Sequence, residues 1–107
     1  MPPITDSENM IIRTAFSLWF DTDIVSFSPR EVEQINSNIL SATQKLFRKQ
    51  YVFTPSELSA IEYSLINFVG MLNEPPAGAD LDDIRRNSAM YKSLAFSAAF
   101  KLSLDLT

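Results

Sequence analysis

The feature that most constrains this chain is a series of helix-start signatures: Thr5-Asp-Ser-Glu8, Ser28-Pro-Arg-Glu31, Thr54-Pro-Ser-Glu57 and the looser Asp80-Leu-Asp-Asp83. In the first three, a hydroxyl oxygen can accept from the backbone N–H three residues on while the Glu carboxylate reaches back to the cap's own N–H. Two otherwise orphan donors are then satisfied within four residues. Pro29 and Pro55 occupy the first helical position, where a missing N–H is harmless and the fixed φ suits a helix. Phe27 and Phe53 precede these caps, and Val32 and Leu58 follow four residues after them, the arrangement of a hydrophobic staple. Four starts predict four helices, over about 6–20, 29–49, 55–72 and 81–103.

The apolar spacing between the starts agrees. Val32, Ile35, Ile39, Ala42 and Leu46 alternate at three and four residues, with Leu40 and Phe47 widening the stripe. Lys45, Arg48 and Lys49 near the end of that helix complement its dipole. The third helix repeats the pattern with Leu58, Ile61, Leu65, Phe68 and Leu72, adds Ile66, Val69 and Met71, and is predicted to be the most buried. Only Gln50 to Phe53 separates the two, so an antiparallel hairpin is expected. Pro75-Pro-Ala-Gly78 ends the third helix. Asp21 to Phe27 forms a connector whose Ile24, Val25 and Phe27 can lie on the core. The expected fold is therefore a single all-α domain over 1–107, a compact bundle of four principal helices. The even spacing of the starts invites an internal-repeat reading, with helices two and three sharing S/T-P-x-E. Any two well-capped amphipathic helices would share it too, and capping is the reading preferred here.

Composition removes much chemistry. The 107 residues include no cysteine and no histidine, which excludes disulfides, thiol nucleophiles, the common zinc sites and the usual imidazole acid–base group. With Gly70 and Gly78 the only glycines, neither a phosphate-binding loop nor a dinucleotide fingerprint can be built. Asp21 and Asp23 resemble the start of a calcium loop, but its sixth and twelfth positions would be Ser26 and Val32, where a glycine and a bidentate Glu are required. Asp80, Asp82 and Asp83 suit a first helical turn without any metal. No catalytic, cofactor-binding or metal-ligating residue is therefore assigned, and no cofactor or small-molecule substrate is expected. A small histidine-free helical enzyme is the third-ranked function.

Nine basic and thirteen acidic residues give a net charge of −4, which opposes non-specific attraction to nucleic acid or anionic lipid. The alternative function, a nucleic-acid accessory role, would use Lys45, Arg48 and Lys49 or Arg85 and Arg86. Against it, helix three offers Glu57, Ser59, Glu62 and Ser64 where a helix-turn-helix needs base-reading side chains. No stretch reads as a signal peptide or a membrane span, and a cytoplasmic location is expected.

Helix four is apolar on too many sides. Leu81, Ile84, Tyr91, Ala95, Ala98 and Leu102 fit a core stripe, whereas Phe96, Phe100 and Leu104 form an i, i+4, i+8 row well to one side of it, with Met90, Ser93 and Ser97 nearby. Either helix one, with Phe16, Trp19 and Phe20, covers that row, or another chain does. The second option is preferred: a non-catalytic protein-interaction module, acting as a stoichiometric regulator or inhibitor, a homodimer, or a subunit of a larger complex.

Overall fold

A computed structural model describes residues 3–21, 27–74 and 81–106, excepting the side chains of Asp21, Leu81, Asp83, Ile84 and Arg85. Four helices occupy these residues, α1 (Asp6–Asp21), α2 (Pro29–Phe47), α3 (Pro55–Asn73) and α4 (Leu81–Lys101), and no strand is present among them. The capping boxes at Ser28 and Thr54 form with both reciprocal hydrogen bonds. The same pair of bonds forms at the start of α1, where Glu8 N–H donates to Thr5 Oγ1 at 3.1 Å and Thr5 N–H to Glu8 Oε1 at 2.8 Å. The start at Asp80 and the core placement of Ile24 and Val25 fall outside the described residues.

Two helices end earlier than their apolar patterns suggest. Lys49 has φ 55° and Ser103 has φ 59°, so the chain leaves the helix through the left-handed region. The following N–H groups of Gln50 and Leu104 then donate back to Lys45 O at 2.9 Å and Ala99 O at 2.8 Å. Both are Schellman closures made with a non-glycine residue in the left-handed position. Hydrophobic periodicity carries no information about this turn, because Leu104 stays on the apolar side after the helix has stopped.

Helices α2 and α3 pack closely and run antiparallel: Lys45 near the end of α2 reaches Glu57 at the start of α3, while the ring of Phe27 before α2 meets that of Tyr63 of α3 in a tilted contact with centroids 5.2 Å apart. Helix α3 is not the sole centre. The most extensive helix contact is between α1 and α3, with α2 laid against α3, α4 against α1, and no α2–α4 contact among the described residues. The core bears out this arrangement residue by residue. Glu8, Ile11, Ile12, Ala15, Phe16 and Trp19 of α1 are buried, and so are Glu57, Ala60, Ile61, Ser64, Leu65 and Phe68 of α3, each 49 residues further on. Ile39, Ala42 and Leu46 of α2 are likewise matched by Ala95, Ala98 and Leu102 of α4, 56 residues on. The matching units are thus α1–α2 and α3–α4, rather than helices two and three.

Candidate functional site

At the start of each central helix the capping Glu does more than cap. Glu57 is buried and accepts from Lys45 Nζ at 2.5 Å, Ser41 Oγ at 2.6 Å and its own cap's N–H, Thr54, at 2.8 Å. Glu8 is buried and accepts from Lys101 Nζ at 2.6 Å, Ser97 Oγ at 2.5 Å and Thr5 N–H. Burial pushes each carboxyl up, but the lysine ammonium, the serine hydroxyl and the cap N–H more than reverse this and hold both at about 2, against the usual 4.5. Lys45 therefore does more than complement the end of α2, and Glu57 and Ser64, considered above as positions for base-reading side chains, are buried. The signal for the two clusters is present in the sequence as Thr5-x-Ser-Glu8 and Thr54-x-Ser-Glu57, with Ser41-Ala-x-x-Lys-Leu46 and Ser97-Ala-x-x-Lys-Leu102.

The Glu8 cluster sets the roll of α4. Ser97 and Lys101, one turn apart, are drawn onto α1, and Ala95, Ala98 and Ala99 are buried beside them. Phe96 and Phe100 each precede one of these two anchors, so the helical rotation of about 100° per residue turns them outward. Phe96 is 44% exposed and Phe100 79%, the most exposed aromatic side chain among the described residues. Helix α1 does not cover the row, because its Phe16 and Trp19 are buried in the core and Phe20 is itself exposed. Leu104 is half-buried, just beyond the helix end, and still lines one hollow of about 340 Å³ with Phe96, Ala99, Phe100, Asp105 and Leu106. Met90 (51%) and Ser93 are exposed further up α4, while Ser97 points to Glu8.

The basic residues are dispersed in role. Lys45 also donates to Val52 O at 3.0 Å, Lys49 lies 3.3 Å from Asp6 at the surface, and Arg48 and Arg86 are exposed. The side chain of Arg85 is outside the described residues. Among the described residues no group of three acidic side chains could hold a metal, and no helix is long and apolar enough to cross a membrane.

Comparison of the chain with protein-family models, curated proteins and solved structures returns no match.

Proposed function

We propose that the protein acts by binding another protein, as a non-catalytic helical interaction module in the cytoplasm, either a stoichiometric regulator or inhibitor or a subunit of a larger complex. The outer face of α4 is its docking surface. The observation that carries this is the exposure of Phe96 and Phe100 on one line of a helix whose inner side is fixed by Ser97 and Lys101. Aromatic anchors in such rows dominate helix-mediated interfaces, and a contiguous exposed apolar patch on a small protein commonly marks an interaction site. A nucleic-acid role draws less support, since Lys45 and Lys49 face carboxylates of the same chain.

The test is a Phe96→Asp/Phe100→Asp double variant. It should keep the wild-type circular dichroism spectrum, and on a column it should fail to retain host proteins that the immobilised wild type retains. Identical retention by both proteins would rule the α4 face out as the docking surface.

A further inference from the structure

We infer that the groove between α1 and α2 is a second docking surface, for a segment of another protein in which a side-chain carboxylate stands among apolar residues. This goes beyond the α4 face and lies apart from it, since α2 and α4 make no contact among the described residues. The groove measures about 330 Å³, and its exposed walls are Phe20, Leu40 and Phe47. Apolar walls alone would fit many occupants, and the polar groups between them decide.

One charge sits in the groove. Arg13 lines it with its guanidinium 5.0 Å over the Phe47 ring, and joins no ion pair among the described residues. Its Nε donates to Asn9 Oδ1 at 2.8 Å; Asn9 is buried and itself fixed, its Nδ2 donating to Leu46 O and Tyr51 Oη at 2.9 Å each. One edge of the guanidinium is thereby held, while its terminal nitrogens make no hydrogen bond among the described residues. The hydroxyls of Ser17 and Thr43, also in the lining, are spent on Arg13 O at 3.3 Å and Ile39 O at 2.7 Å. Among the described residues Arg13 is thus the groove's open donor, and no carboxylate lines the groove to neutralise it. Helix packing does not call for a cation here either: the matching position 49 residues on is Glu62, in a half whose buried residues otherwise correspond. A planar guanidinium held along one edge suits a single planar carboxylate, which it can meet with two parallel N–H bonds beside apolar walls. A nucleic-acid backbone repeats its charge and would need several cations, against a net charge of −4. The carboxylate is therefore that of an Asp or Glu whose apolar neighbours lie against Phe20, Leu40 and Phe47.

The probe is a phage library of random short peptides panned on the immobilised full chain. Enriched peptides should carry Asp or Glu next to Leu, Ile or Phe. Synthesised with acetylated and amidated ends, they should shift the amide resonances of Phe20, Leu40 and Phe47. They should also bind Arg13→Gln about tenfold more weakly, the loss of a charge-assisted hydrogen bond. Arg13→Glu should reverse the preference, favouring the same peptide with Lys in place of its acidic residue. Wild-type circular dichroism checks folding; if Arg13→Gln fails it, Leu40→Asp, at a side chain 60% exposed, takes its place with the same loss expected. The Phe96→Asp/Phe100→Asp variant should bind these peptides as the wild type does, so failure of the α4 face and failure of the groove are read separately. No enrichment, enrichment without acidic residues, equal affinity for wild type and folded Arg13→Gln, or shifts confined to α4 would each overturn the proposal. Displacement of the peptide by an equimolar single-stranded DNA would overturn it in favour of nucleic acid.

Discussion

The two buried carboxylates do one chemical job over two very different distances along the chain. Glu57 takes its serine and lysine from 16 and 12 residues away, within a single helical hairpin, whereas Glu8 takes its own from 89 and 93 residues away. The bonds are alike in length, yet the second cluster ties the first helix to the last. Residual exposure differs as well: the Lys101 side chain is 15% exposed and that of Lys45 29%. A cluster closed over a long loop is the later to be rewarded in folding, because the entropy of bringing the ends together precedes any contact. The pair shows that a short polar pattern can serve local and global closure equally, and that its location decides which.

Removing one lysine is the most severe way to separate them. Lys101→Met leaves Glu8 buried without its cation and should destabilise by about 3 to 5 kcal/mol in urea unfolding. Lys45→Met should lose less, because water reaches that site more readily. Kinetically, Lys45→Met should slow folding and Lys101→Met should chiefly speed unfolding. The reverse order in a chevron experiment would mean that the long-range cluster forms first.

In the core the two halves should respond alike. Leu65→Ala and its counterpart Phe16→Ala each open a cavity at a fully packed position and should cost about 2 to 5 kcal/mol in the same assay. An unchanged midpoint for one of them would break the correspondence between the two halves.

Acid titration addresses both clusters together. Each carboxyl titrates at about 2 when folded against a usual 4.5, so its stabilisation is complete above about pH 4.5 and is lost as pH falls towards 2. Between those limits each should contribute a slope of about 1.4 kcal/mol per pH unit. Thermal unfolding of Glu8→Gln/Glu57→Gln should show a flattened acid limb, and a limb as steep as wild type would place the acid sensitivity elsewhere.

Smaller effects separate the caps. Thr54→Ala and Ser28→Ala should each lose about 0.5 to 2 kcal/mol. Thr54 should stand at the upper end, because its box shares the buried Glu57, while Ser28 pairs with the exposed Glu31. Neither should alter the retention of host proteins by the immobilised chain. The smallest change is a gain: Ser64 Oγ is buried with no hydrogen-bond partner among the described residues, where α1 carries Ala15. Ser64→Ala should therefore raise stability by about 1 kcal/mol in thermal melts.

The helix starts were legible in the sequence because a capping box is complete within four residues, and Thr5, Ser28 and Thr54 need nothing beyond their own Glu to begin a helix. The outward row of Phe96 and Phe100 was legible too, since it lies well to one side of the core stripe through Tyr91, Ala95, Ala98 and Leu102. Helix ends were less so, because Lys49 and Ser103 enter the left-handed region without the glycine that would announce it. Burial of Glu8 and Glu57, the shared centre of α1 and α3, and the roll of α4 were decided only by tertiary structure. An acidic side chain at a helix start reads the same whether it faces water or a lysine 93 residues away. Local hydrogen bonds are set by neighbours in the chain, whereas desolvation is set by whatever packs above them, and that depends on every helix at once.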